Sequence, residues 1–321
     1  MKRRHVAVAA TVAAALLAGA AWVGPAFAQQ KKTLALVTNA SADFWTIARR
    51  GVEKAGIELP NYTTEMYVVS EATAAEQRRI LDDLLTKGVA GVSISSIDPA
   101  NSTEILNRVA SQAVLFTTDS DAPQSKRVLY IGTDNTAAGV EAGELIKKAL
   151  PQGGKIMMFV GTMGADNARE RVDGIRKSLA GSKVEIIDIR TDEVDFARAK
   201  RNVEDTLTKY PDIDGLVGLY SYNTPQIVEA VRAAGKEGQV KIIGFDEDPV
   251  TLRGIADGVI DSTVVQQPYE FGYQSMKLLA KVVEGDKSMI PANGLMIIPT
   301  KVIDKSNVAE FQTTMREMLK K

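Results

Sequence analysis

The chain has 321 residues, 45% of them hydrophobic and 25% charged, with no cysteine, a single histidine and a formal net charge of −1. That length supports one large or two medium domains, and the missing cysteines exclude disulfides, thiolate catalysis and cysteine-ligated metals. The one histidine is His5, so histidine chemistry depends on whether the N-terminus stays with the working protein.

The first 28 residues read as a secretory signal. Lys2, Arg3 and Arg4 make a cationic start, the stretch 6–21 is apolar, and Gly24-Pro25 breaks it before the small residues Ala26 and Ala28. This order predicts export and cleavage after Ala28. The apolar core is shorter than the roughly 20 residues that a membrane span needs. Cleavage leaves 36 basic residues against 40 acidic ones, formally −4, no histidine, and Trp45 as the only tryptophan. Such a chain argues against histidine-based catalysis, against bound metals or other cofactors, and against a nucleic-acid partner.

Short apolar runs then alternate with amphipathic segments of helical length. In chain order the pattern predicts strand 33–39, helix 44–58, strand 65–70, helix 73–87, strand 91–95, helix 99–112 and strands 114–118 and 128–132. The rhythm restarts with helix 136–150, strand 155–160, helix 167–179, strand 184–190, helix 196–209, strand 215–219, helix 225–234 and strand 240–245. A strand 262–266, a long helix 269–284, a strand 295–298 and a terminal helix 308–319 complete the chain. Alternation of this kind means parallel sheet with helices on both faces. Two rounds of it predict an α/β protein of two similar, doubly wound lobes.

In open parallel sheets, ligands sit outside the carboxyl ends of the strands. Those ends carry Asn39 to Trp45, Asp119-Ser120-Asp121, Tyr220 to Asn223, Asp246-Glu247-Asp248 and Gln266-Gln267. Any one of these fits a helix cap or a turn. Their recurrence on one edge suits a polyhydroxylated ligand, because carboxylates and amides pair with hydroxyls and aromatic faces cover C–H surfaces. Gly161 to Gly164, Gly153-Gly154-Lys155 and Asp212 to Gly215 lack the spacing of nucleotide or calcium loops.

The set of motifs resembles periplasmic sugar-binding proteins of the ribose-binding type, which feed ABC importers. It is carried by Phe44-Trp45, by Ile131 to Asn135 with Gly139, by Ala168 to Arg171 with Gly174, by Ile243 to Asp246 and by Gln266 to Pro268. The resemblance implies the type I periplasmic binding protein fold, with a three-segment hinge near 133–135, 266–268 and 293–295. Lobe one would be 31–133 plus 267–293, and lobe two 134–266 plus 294–321. It also implies a ligand site of Phe44, Trp45, Asp119, Arg171, Asn223, Asp246 and Gln266. Ser41, Ser120, Asp121, Tyr222 and either Asp195 or Phe196 form a second set of candidates.

The implied partners are a small sugar or polyol, an ABC permease in the inner membrane and, as a second use of the closed form, a chemoreceptor; a monomer is expected. Two departures bear on the ligand. Ser120 stands where many relatives have arginine, and Ala42 where ribose binders offer asparagine. Acidic residues then outnumber Arg171, so the cleft should favour a neutral pentose, hexose or polyol over a sugar acid or phosphate. Two other classes remain open: an exported glycosidase using Asp119 and Asp246, and a repressor sharing this fold, whose DNA-binding segment would stand where the signal does.

Overall fold

A computed structural model describes residues 31–320. The predicted signal segment 1–28 and its cleavage site lie outside the described residues. Among those residues, no helix is long and apolar enough to cross a membrane.

The chain runs β1 (Lys32–Val37), α1 (Asp43–Glu58), β2 (Tyr62–Tyr67), α2 (Ala74–Thr86), β3 (Gly91–Ile94), α3 (Pro99–Gln112), β4 (Val114–Thr118) and β5 (Leu129–Gly132). It continues with α4 (Asn135–Ala149), β6 (Gly154–Val160), α5 (Asp166–Leu179), β7 (Val184–Thr191), α6 (Phe196–Lys209), β8 (Gly215–Gly218), α7 (Asn223–Ala233), β9 (Lys241–Phe245), α8 (Pro249–Asp257) and β10 (Ser262–Val265). The last elements are α9 (Pro268–Val283), β11 (Leu295–Ile297), β12 (Lys301–Asp304) and α10 (Val308–Lys320).

Two six-stranded sheets result, ordered β11-β5-β4-β3-β1-β2 and β12-β10-β9-β8-β6-β7. All pairings are parallel except that of β12 with β10. The two lobes therefore share one winding. In each, strand order reverses beside the first strand, between β1 and β3 and between β6 and β8, which opens a crevice at the carboxyl edge.

Burial on both faces explains the near-continuous apolar strands. Along β1, Leu34 and Leu36 face a cluster with Phe271 and Leu279, while Ala35 and Val37 face one with Ile80, Leu81 and Leu106. The second sheet carries two such clusters as well. Helix starts follow capping chemistry: Thr73, Asp98, Asp134, Asp195 and Asp248 each accept a backbone N–H of the helix that follows. At α4 and α5 the helices touch through glycine. A Cβ on Gly139 would lie 2.2 Å from the Arg171 carbonyl oxygen, and one on Gly174 would lie 2.2 Å from that of Thr136. This contact fixes where α5, and with it Arg171, stands relative to the sheet.

The chain passes between the sheets after β5, after β10 and after β11. The last passage corrects the sequence-based lobe boundary. Residues 294–297, expected in the second lobe, include β11, which pairs parallel with β5 from Leu295↔Tyr130 to Ile297↔Gly132. The crossing lies beyond Ile297, where β12 joins the other sheet. β12 and α8 were absent from the sequence pattern, the first because it is a four-residue edge strand, the second because it spans only nine residues. β2 begins at Tyr62, three residues before the expected start, because its register is set by Lys32↔Tyr62 pairing with β1.

Candidate functional site

The carboxyl edges of the two sheets face each other across one cleft. Asn39, Phe44, Trp45 and Asp119 come from the first lobe; Asn167, Arg171, Tyr220, Ser221, Tyr222, Asp246 and Gln266 come from the second segment of chain and the end of β10. Asp119 follows β4 and Asp246 follows β9, the equivalent strands of the two windings, and both have left-handed backbones, with φ of 60° and 67°. Aspartate tolerates this region better than most residues, but the conformation still costs about 1–2 kcal/mol each. Strain at matching positions of both lobes, on facing carboxylates, is the kind of feature that clusters at ligand sites.

Asp119 is well anchored. Its Oδ2 accepts from Ser95 Oγ at 2.7 Å, Asn39 Nδ2 at 3.1 Å and, across the cleft, Asn167 Nδ2 at 3.4 Å. Trp45 Nε1 donates to Asn39 Oδ1 at 3.0 Å, so the indole orients the amide that holds the carboxylate. Trp45 also packs edge-on against Phe44, with ring centroids 5.1 Å apart, and belongs to the first lobe's core at 3% exposure.

Arg171 is buried at 1% exposure, with its guanidinium 4.6 Å from the Phe245 ring centroid. Its Nε donates to Asn135 Oδ1 at 2.9 Å and its Nη1 to the Leu219 carbonyl at 2.6 Å. Nη2 has no partner. Gln266 is the mirror case: its Nε2 donates to Asp246 Oδ1 at 2.9 Å, while its Oε1 is buried and unpartnered. The cleft thus keeps one free donor and one free acceptor beside two carboxylates.

Burial raises the carboxyl pKa of Asp119, with Arg171 and the hydrogen bonds opposing it. Burial likewise pushes Asp246 from 3.8 up to about 6, against Arg171 and Gln266. Arg171 is the common countercharge, acting through space, since its hydrogen bonds go to an amide and a carbonyl. Two carboxylates against one guanidinium leave the site acidic. Among the described residues there is no grouping of acidic side chains and histidine suited to a metal ion.

Phe44, Trp45, Asp119, Arg171, Asp246 and Gln266 therefore meet in one cleft, and Tyr222 joins them. Asn223 does not line it. Its Oδ1 accepts from the Tyr220 backbone and its Nδ2 donates to Asp192 at 2.8 Å, so it builds the wall from behind. Asp192, fully buried, also accepts from Tyr222 Oη at 2.5 Å, and burial pushes its carboxyl up to about 6. Asp121 is held by Arg127 through two contacts, 2.5 Å and 2.6 Å, and is structural. Ser120 is buried outside the cleft lining. Asp195 caps α6. Phe196 stacks on Tyr222 at 4.6 Å and, with exposed Ser41, borders an outer space of about 420 Å³. Phe196 rather than Asp195 is thus the aromatic neighbour of the cleft.

Asn39, Asn167, Tyr220 and Ser221 line the cleft without having been singled out as ligand residues. Asn167 carried a usable signal, lying one helical turn before Arg171 and hence on the same face. Tyr220 Oη donates to Asn167 Oδ1 at 3.0 Å, a pairing 53 residues apart that no local pattern reveals.

A family model described as a periplasmic binding protein domain matches residues 34–287. The ribose import binding protein RbsB of Escherichia coli (strain K12) is 28% identical over 265 residues, covering 81% of this chain and 88% of that protein. An ABC transporter solute-binding protein from Burkholderia graminis, solved in complex with D-arabinose, superposes with a TM-score of 0.82 at 26% identity, covering 87% of this chain and 97% of that one. GanP, a glucose-galactose binding protein from Geobacillus stearothermophilus, does so with a TM-score of 0.81 at 28% identity, covering 87% and 99%.

Proposed function

The chain belongs to the periplasmic binding protein domain family, and we propose that it captures a neutral monosaccharide or polyol between its lobes and delivers it to the permease of an ABC importer. The observation that carries this is the pair of unmet groups on one cleft wall, Arg171 Nη2 and Gln266 Oε1. Each buried, unpaired polar group costs about 1–3 kcal/mol. A hydroxyl both donates and accepts, so vicinal hydroxyls satisfy a guanidinium, an amide oxygen and two carboxylates together. The acidic balance of the site selects against sugar acids and phosphates. The relatives named above are binding proteins by description, RbsB for ribose and GanP for glucose and galactose, which supports binding without turnover.

The polar cavity is about 30 Å³, room for about two waters, so a sugar ring enters when the lobes part. Rotation would be absorbed at the three passages between sheets. Asp119 on one lobe and Arg171, Asp246 and Gln266 beyond the crossings would then grip one ligand, the differential contact that favours the closed state. Export by the N-terminal signal, with cleavage after Ala28, would place the protein in the periplasm. A thermal-shift screen of the mature chain tests the reading. Neutral sugars or polyols should raise Tm, by about 2.7 kcal/mol of stability at 100 times the dissociation constant. A preference for sugar phosphates or acids would overturn the charge argument.

A further inference from the structure

A second compartment opens directly off the polar cleft. Phe44, Ser221 and Asp246 line both. This annex is about 620 Å³, against about 30 Å³ for the cleft itself. Its apolar walls are Ile47 on α1 of the first lobe, Leu252 and Ala256 on α8, and Met315 and Leu319 on α10, which packs on α8. Leu252 and Met315 are buried, whereas charged Asp43, Arg253 and Arg316 stand at its rim. At the junction sits Glu247, directly after Asp246. It is 4% exposed, its Oε2 has no hydrogen-bond partner, and it lines the annex but not the cleft. Burial and the neighbouring Asp246 charge push its carboxyl well above the usual range, which favours the protonated form that donates an O–H.

A free monosaccharide uses none of this. Its hydroxyls match the polar cleft and leave the apolar walls wetted, which is unfavourable in proportion to their area. A groove whose wall is mostly apolar, with Glu247 as the buried, unpartnered polar group where it meets a polar cleft, fits an apolar moiety attached to a polar one. We propose that the annex holds the apolar aglycone of a glycoside whose sugar sits in the polar cleft, with Glu247 hydrogen-bonding the oxygen at the junction between the two. The inference rests on the sugar-capture reading and narrows it from free sugars to alkyl or aryl glycosides.

The test is isothermal titration of the mature chain with methyl and hexyl glycosides, both anomers, of ribose, arabinose, xylose, glucose and galactose, alongside the free sugars. Each methylene buried in the annex should tighten binding by about fourfold, so the hexyl glycoside of the preferred sugar should bind at least about tenfold tighter than its methyl counterpart. Ala256 is exposed and lies outside the polar cleft, and Ala256→Trp fills the annex. That variant should erase the hexyl advantage and leave the methyl glycoside unchanged. Equal or weaker hexyl binding, or an advantage that survives Ala256→Trp, overturns the annex while leaving sugar capture intact. If no free sugar and no glycoside binds, the sugar-capture reading falls and the annex assignment with it.

Discussion

Replacing Asp246 with asparagine separates what this carboxylate does for the fold from what it does for the ligand. Its pKa is raised from 3.8 to about 6, chiefly by burial. A raised carboxyl pKa means the folded protein holds the proton more tightly than the unfolded chain does. Folding is therefore unpenalised below the ordinary value of 3.8, loses stability as pH rises from there to about 6, and carries the full penalty above it. About two pKa units correspond to about 3 kcal/mol. Asparagine carries no charge, retains an oxygen for Gln266 Nε2, and tolerates the left-handed backbone. Asp246→Asn should thus stabilise the ligand-free protein at pH 7 by up to about 3 kcal/mol, a Tm gain of about 5 °C, and have little effect below pH 4. The same change removes an ionised acceptor from the cleft, and ligand affinity should fall by about tenfold or more. Thermal unfolding between pH 4 and 8, with titration of the preferred sugar, reads both. A lower Tm at pH 7, or a gain that persists at pH 4, would refute the reasoning.

Further outcomes follow from named contacts. Arg171→Lys replaces a planar fork by a point charge at a site with two fixed acceptors and one open Nη, so affinity should drop by about tenfold or more while circular dichroism stays native. Asp121→Ala removes the partner of largely buried Arg127; denaturant titration should show a loss of about 3 kcal/mol, with ligand affinity unchanged. Gly139→Ala puts a methyl against the Arg171 backbone, which should cost about 1–3 kcal/mol and weaken ligand binding as α5 shifts. Trp45→Ala should cost about 3–5 kcal/mol, since the indole is core as well as cleft wall, whereas Trp45→Phe should retain the fold and lose the Asn39 contact. In the wild-type mature chain, Trp45 fluorescence should change on binding.

The winding of both lobes was legible because buried parallel strands and amphipathic helices leave different apolar periods, and capping residues mark the joins. Edges were less so. β11 is three residues long, and its assignment to the first sheet depends on β5 rather than on its own composition. Within the polar runs, Asp119 and Asp121 stand two residues apart, but their fates differ because Asp119 turns left-handed into the cleft while Asp121 meets Arg127. Asn223 stands behind the cleft wall because its amide donates to Asp192, 31 residues away in the chain. Trp45 reads as a ligand residue from its place after β1, and its burial against Phe44 in the first lobe's core makes it structural as well. The annex lay beyond sequence reasoning altogether, because it joins α1 to α8 and α10 from opposite ends of the chain.

Capture of a neutral sugar without turnover can be observed directly. Its most direct measurement is isothermal titration of the mature chain with neutral sugars, polyols and glycosides beside the matching sugar acids and phosphates, followed by recovery of the bound compound and its identification by mass spectrometry. One-to-one binding of a neutral compound, returned unchanged and weakened by Asp246→Asn, is the predicted result. Tightest binding of an acid or phosphate, or recovery of a hydrolysed glycoside, would contradict it.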